Sequence, residues 1–561
     1  MLGNILTPVT VWSDFKIDHV PSAKTVEKKT VGDIALSKLY IDGKKTEKGK
    51  VEIYAFLAKN TTSSTTPTIL VFPDFERGID EKAVIDLAKK GFSVMAIDLY
   101  GVLEGAKHYS RYPSDISYAN YEQVKDSLNR IKSDVAETCW YEWAVAGRYA
   151  LEYLKNQSFV KSIGGLGVSI GAGVLWQVAF NNRSFSALTF IRNAGWSAYL
   201  DIPKFGLGAE PQFTDQELKY VAGIEPQTYA QHVCCPTLTL TATNDTKYDC
   251  DRALDTVSRI PNKYYRAVNY SVGDINQIGS NSFDMAIKFF DRFMNDKNEE
   301  NEFLPEEPFV AGEIVKGNLV VTATVTVEKL KKVELYVSEQ TVKQSSRAWK
   351  CVKPIEKDGK GQMKFSYAPY YTSQMVVFFV KAVYENGFEV CSNIACKRFK
   401  EKEVLLKHRD KIVYSGRERG AESVFTTLNA KTNGFCVDSK NGVSVKKGPM
   451  SIEGVTSKGG LLTFKIGADR YKPDEYAMLM MDLFVKESVE ITVSLISKYF
   501  GEKCEYFTTA HIKGGKIWHN LCLEMSRFKT AEGRILKSYK DIEALSITCT
   551  GEFLVNNVLW V

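Results

Sequence analysis

The run Ile163-Gly-Gly-Leu-Gly-Val-Ser-Ile-Gly-Ala-Gly-Val-Leu-Trp-Gln-Val-Ala-Phe-Asn181 decides how this chain is read. A short apolar strand over Ile163 to Val168 runs into Gly167-Val168-Ser169-Ile170-Gly171, and a helix is predicted directly behind it, over Ala172 to Asn181. Glycines at the two flanks allow a strand to turn sharply into a helix, and they hold the serine between them in a strained conformation with its hydroxyl presented. The unpaired N–H groups of the new helix favour negative charge at that point. Ser169 is therefore a candidate nucleophile, and the N–H of Ile170 is a candidate donor to an oxyanion.

The pattern repeats outward from this turn. Short, continuously apolar runs at Thr68 to Phe72, Ser93 to Asp98, Ala187 to Ile191, Thr237 to Ala242 and Tyr264 to Tyr270 read as strands buried on both faces. Between them Glu81 to Lys90 and Trp140 to Asn156 read as helices, which gives the βαβ alternation of a mostly parallel sheet. Lys29 to Phe56 alternates apolar and polar residues and reads as leading antiparallel strands, while Phe283 to Met294 is an amphipathic closing helix. The stretch between Trp196 and Gln231 is an insertion placed to form a lid, with Tyr199, Phe205, Phe213 and Tyr220 either lining a pocket or packing within the lid.

After Asn295 to Pro308, rich in Asn, Glu and Pro, the pattern turns all-β. Met375 to Tyr384 passes through Glu385-Asn386-Gly387 into Phe388 to Cys391, and Asn-Gly between two such runs signals a hairpin. At 561 residues the chain exceeds what one core supports, and about three domains are expected. The expected division is 1–300, 301–400 as an immunoglobulin-like β-sandwich, and 401–561 as a jelly roll.

Bulk composition excludes several classes. Lys plus Arg is 73 against 67 for Asp plus Glu, with the basic residues dispersed, so neither nucleic acid nor a membrane surface is an expected partner. No basic segment followed by an apolar run opens the chain, and the longest apolar stretch, Ala477 to Val485, is interrupted by Asp482; a cytoplasmic protein is expected. The eleven cysteines lack zinc-site spacing and nearby histidine partners, so no metal and no cofactor is expected.

Ser93-Val-Met-Ala-Ile-Asp-Leu-Tyr-Gly101, the helix with Trp140, Tyr141 and Trp143, and the turn at Ser169 resemble the α/β-hydrolase superfamily, its acetyl xylan esterase and dienelactone hydrolase-like branch in particular. The segment from Trp518 to Trp560 is similar to galactose-binding-like, carbohydrate-binding jelly rolls, although Trp518 and Trp560 also suit a core. The first resemblance implies a serine nucleophile, then an acid, then a histidine along the chain. Asp245, in the loop after Thr237 to Ala242, matches the acid, with Asp249 as fallback; its other reading is a residue that only turns the loop. Phe75, in the loop after Thr68 to Phe72, matches the second oxyanion donor, although Glu76 beside it would repel an oxyanion.

The loop Ser271-Val-Gly-Asp-Ile-Asn-Gln-Ile-Gly-Ser280, where the histidine belongs, contains none. Gln277 matches its position, with Asn276 next, and a glutamine accepts no proton at neutral pH. Of the six histidines in the chain, His108 alone lies in a loop expected near the site, as a replacement base or as a plain loop residue. Loss of the base in a dissected serine hydrolase lowers turnover by about 10⁶. The sequence therefore points first to an esterase-like fold with weak or absent hydrolysis that binds a small ester or carbohydrate. An active esterase or acyl transferase with an unconventional base, and a protein acting through its C-terminal sandwiches, are the alternatives.

Overall fold

The structure is a computed structural model that describes residues 5–75, 78–103, 105–208, 211–273, 275, 278, 280–295, 303–341, 343–370, 375–400, 408–417, 424–427, 432–433, 436–437 and 442–561. Nine strands form the first sheet: β1 (Ala23–Val31), β2 (Ile34–Thr46), β3 (Gly49–Asn60), β4 (Thr66–Phe72), β5 (Ser93–Ile97), β6 (Val160–Val168), β7 (Phe185–Ile191), β8 (Thr237–Ala242) and β9 (Arg266–Ser271). Their order across the sheet is β1-β2-β3-β5-β4-β6-β7-β8-β9. The leading strands are antiparallel through the β3–β5 pair, and every pair from β4–β5 to β8–β9 is parallel. Every residue of β4, β5 and β8 is buried, as their unbroken apolar runs require when helices cover both faces. This is the mostly parallel, helix-covered sheet expected of an α/β-hydrolase, and its leading antiparallel part begins at Ala23, earlier than the alternation at Lys29 suggested.

Helices Cys139–Lys155 and Ile170–Val178 pack on one face, with Trp143 and Trp176 wholly buried between them and the strands. Glu81–Ala88 and the closing helix Ser280–Met294 cover the other face, where Phe289 and Phe290 join Leu166, Val168, Leu238 and Leu240. Active centres of such sheets gather at the C-terminal ends of the parallel strands. Ser169, Arg192 and Asp245 lie there, just beyond β6, β7 and β8.

The middle block carries two antiparallel sheets. One contains β10 (Phe309–Val315), β11 (Asn318–Thr324), β14 (Glu356–Lys357) and β15 (Gln362–Tyr367). The other contains β12 (Leu330–Glu339), β13 (Lys350–Val352), β16 (Met375–Tyr384), β17 (Glu389–Cys391) and β18 (Ala395–Arg398). The Asn-Gly hairpin forms as read, its Gly387 N–H closing on the Tyr384 carbonyl at 3.0 Å. Leu319, Val321 and Phe365 of one sheet share a core with Val376, Phe378 and Val380 of the other.

The middle block does not stand apart from the first. β9 is the last strand of the nine-stranded sheet, and its outward Tyr270 N–H donates to the Cys391 Sγ at 3.3 Å while Lys381 Nζ donates to the Tyr270 carbonyl at 3.3 Å. Phe379 stacks edge-on to Tyr270 with ring centres 5.3 Å apart, and Asp251 of the first block pairs with Arg347 of the middle block.

From Ile412 onward, two further antiparallel sheets enclose a core of their own, in which Met481 and Val555 of one meet Ile491, Val493 and Leu545 of the other. Trp560 is in that core at 2% exposure. Trp518 is only half-buried, lying against Phe484 with ring centres 5.8 Å apart. Arg470 ties this block to the middle one by reaching Glu339 at 2.8 Å. Among the described residues no helix is long and apolar enough to cross a membrane, the ten cysteines whose side chains are described are free thiols, and no cluster of three or more metal-ligating side chains occurs.

Asp251→Ala leaves the Arg347 guanidinium buried without its carboxylate, in a pair whose side chains are 0% and 2% exposed. Removing one member of such a pair is expected to lower stability by about 3–5 kcal/mol. Urea unfolding of the two proteins measures the difference, and a loss below about 1 kcal/mol would refute this account of the interface.

Candidate active site

The turn at Ser169 is built as its glycines require. Ser169 has φ 54° and ψ −118°, a backbone region that costs a non-glycine residue about 1–3 kcal/mol. A Cβ on Gly171 would lie 2.2 Å from the Phe72 carbonyl oxygen and 2.4 Å from that of Pro73, and one on Gly167 would lie 2.5 Å from the Ala172 Cα. Only a bare backbone allows β6, the new helix and the end of β4 to meet here. The strained turn is pinned on both sides: the Ser169 N–H donates to the Ile191 carbonyl at 2.9 Å, and the Asn193 side-chain amide donates to the Ser169 carbonyl at 3.0 Å. Ile170 opens the helix, so its N–H is one of those without an acceptor in the helix itself.

The surroundings of the serine differ from the expected set. Its side chain is fully buried, and its Oγ lies 3.2 Å from the phenolic oxygen of Tyr248. Burial, reinforced by the charge of Asp74, pushes the Tyr248 phenol well above its ordinary range, so the phenol keeps its proton at neutral pH. It can share a hydrogen bond with Ser169, but it cannot act there as a base of pKa near 7.

Asp245 stands at the C-terminal end of β8, where the acid was expected, yet its partner is an arginine. Arg192 donates from Nε to Asp245 Oδ2 at 2.8 Å and from Nη2 to Oδ1 at 3.3 Å, and the Lys247 N–H donates to Oδ1 at 2.8 Å. The paired side chains are 4% and 0% exposed. Arg192 has φ 66°, and its guanidinium also faces the Tyr248 ring at 5.9 Å. Asp249, the fallback acid, is held by Arg252 and the Asp251 N–H, and burial together with the neighbouring Asp251 pushes its pKa up to about 6.

Two expected residues are elsewhere engaged. The Phe75 N–H donates to the Asp74 carboxylate at 2.9 Å, and its ring stacks on Tyr121 at 4.2 Å. His108 stacks on Tyr54 of β3 with ring centres 5.4 Å apart, three places along the sheet from β6. Its loop folds back over the antiparallel strands because the Ser110 hydroxyl bonds the Asp98 carbonyl while accepting the Tyr54 N–H at 2.9 Å. Gln277, Asn276 and Glu76 lie outside the described residues.

The other five histidines stand on other elements of the chain. His19 pairs with Asp18 at 2.6 Å, His232 packs on Phe180 at 4.7 Å, and His408, His511 and His519 belong to the last block. In the stretch between Trp196 and Gln231, Tyr199 packs on Trp196 and Phe213, while Tyr220 and Glu225 both hold the Ser197 hydroxyl, at 3.0 and 2.8 Å. Tyr220 also meets Trp140 of the helix Cys139–Lys155 with ring centres 6.1 Å apart, and the Phe205 ring faces the Arg347 guanidinium of the middle block at 5.9 Å.

Tyr248, Arg192 and Asn193 escaped the sequence reading. The available signal was position: Arg192-Asn193 directly follows β7, and Tyr248 is three residues past Asp245, so both stand at the end of the sheet where sites collect.

No protein-family model matches the sequence, and no curated protein sequence matches it. Among solved structures, the chain is similar to a cold-adapted esterase from an Arctic intertidal metagenomic library, with 12% identity, 48% of this chain and 100% of that one covered, and a TM-score of 0.33. It is also similar to an acetyl xylan esterase from Paenibacillus sp. R4, with 13% identity, coverage of 47% and 84%, and a TM-score of 0.34. A third is the acylaminoacyl peptidase of Pyrococcus horikoshii, with 13% identity, coverage of 50% and 51%, and a TM-score of 0.34.

Gly171→Ala places a methyl group inside the contact with the Phe72 and Pro73 carbonyls. A loss of about 3 kcal/mol or more is expected in thermal or denaturant unfolding, since neither carbonyl can yield without moving β4. An alanine variant as stable as the parent would refute the close approach.

Proposed function

We propose that this chain has the architecture of an esterase-type α/β-hydrolase but does not run Ser-His-Asp hydrolysis, and that its site works by binding a small ester or carbohydrate. One observation carries the reading: the Ser169 Oγ faces a protonated Tyr248 phenol, while Asp245 is committed to Arg192. An imidazole base needs an acid to fix its tautomer and to stabilise its cation. On this reading neither the base nor a disengaged acid is present. The middle block is then an immunoglobulin-like sandwich and the last block a jelly roll, each serving position or recognition.

The strained turn at Ser169 favours a second reading, an esterase or acyl transferase with an unconventional base, because strain of this kind tends to be kept where it is used. A fluorophosphonate probe separates the two. The full chain is expected to take no more label than Ser169→Ala; labelling that maps to Ser169 would establish the enzyme and end the binding reading.

Gln277→His is expected to create no acetyl-ester hydrolysis by itself, since Asp245 is held by Arg192. Turnover in that variant above the level of Gln277→His/Ser169→Ala would mean that the acid can leave its arginine.

A further inference from the structure

The loop that lays Tyr248 over Ser169 is held from outside the first block. The short helical turn Gln344–Ser346 of the middle block, with Arg347 behind it, touches the loop at successive points. The Gln344 side-chain amide donates to the Tyr248 carbonyl at 2.8 Å and to the Asp245 carbonyl at 3.3 Å, and its oxygen accepts the Cys250 N–H at 2.7 Å. Asn244 donates from its side chain to the Arg347 carbonyl at 2.7 Å and to that of Ser345 at 3.3 Å. Arg347 closes the set with both carboxylate oxygens of Asp251. Gln344, Ser345 and Arg347 are all buried.

We infer that Gln344–Arg347 is a latch by which the middle block keeps the Tyr248 loop closed over Ser169, and that loosening this contact opens the site. The three bonds of the Gln344 side chain end on main-chain groups of the loop, so they fix where it runs, and the two from Asn244 end on main-chain carbonyls of the middle block. Main-chain position in turn decides whether the Tyr248 hydroxyl reaches Ser169. Gln344 is thus a positioning residue acting through Tyr248, and the middle block sets access to the site as well as covering the edge of the sheet. The inference deepens the function proposed above, since it takes Ser169 as the centre of the site.

The test uses the full chain with Ser169→Cys, which makes position 169 reactive toward iodoacetamide without any catalytic base. Alkylation is followed peptide by peptide, so that the native cysteines report separately. Adding Gln344→Ala is expected to speed alkylation at position 169 about tenfold or more, the effect of losing buried hydrogen bonds that hold a closed state. Adding Tyr248→Ala, which leaves the interface intact, is expected to speed it as well, and adding Asp358→Ala, in the exposed turn between β14 and β15, is expected to leave it unchanged.

Parent-like rates in either Gln344→Ala or Tyr248→Ala would overturn the latch. A rise in Gln344→Ala shared by Cys139 and Cys235, buried in the core, would report general unfolding, and the Tyr248→Ala rate then decides. Because buffer can take the thiol proton and no base in the site is needed, fluorophosphonate labelling of the unaltered chain would end the proposed function and leave the latch standing.

Discussion

The ion pair between Arg192 and Asp245 is the constraint on which the rest of the site depends. Both side chains are withdrawn from water, and a buried charge costs several kcal/mol unless it is paired and hydrogen-bonded. The two N–H···O contacts from the guanidinium, with the Lys247 N–H as a third, meet that need. They leave Asp245 engaged with a guanidinium and a main-chain N–H. The arrangement reaches the serine through Tyr248, whose ring the same guanidinium faces and whose hydroxyl fills the place beside Ser169.

Much of the first sheet could be read from the chain because its strands are unbroken apolar runs, and buried parallel strands leave few other sequences available. The turn at Ser169 was legible for a related reason: its glycines answer to distances under 3 Å that no side chain can occupy. Asp245 was legible as a position but not as a partner. Its arginine comes from the end of a neighbouring strand, 53 residues away in sequence, and no local pattern joins the two. His108 shows the same limit in reverse. It lies in the loop expected near the site, but a serine hydroxyl two residues later hooks that loop onto β3 and carries the ring away.

Tyr248 was the hardest residue to foresee. Its side chain is ordinary for a loop, and the residue that places it, Gln344, follows 96 positions later in another block. Composition and periodicity report on burial and on hydrogen bonds made within an element. They carry nothing about a glutamine that satisfies three main-chain groups of a distant loop. The division into blocks was legible as a change of period from mixed to all-β, while the depth of their contact was not, because residues on the shared faces look like any other core.

The nine-stranded sheet ends differently on its two sides. β1 is exposed along nearly all its length and carries Lys24, Lys28 and Lys29, a row of ammonium groups that discourages another strand from docking. β9 has no such guard, and Cys391, Lys381 and Phe379 of the middle block lie along it instead. Cutting the chain after the closing helix would therefore not release a free-standing hydrolase-like unit. It would bare an edge strand whose Tyr270 N–H and carbonyl have lost Cys391 and Lys381, and such fragments would tend to find one another, edge against edge, before they found a ligand.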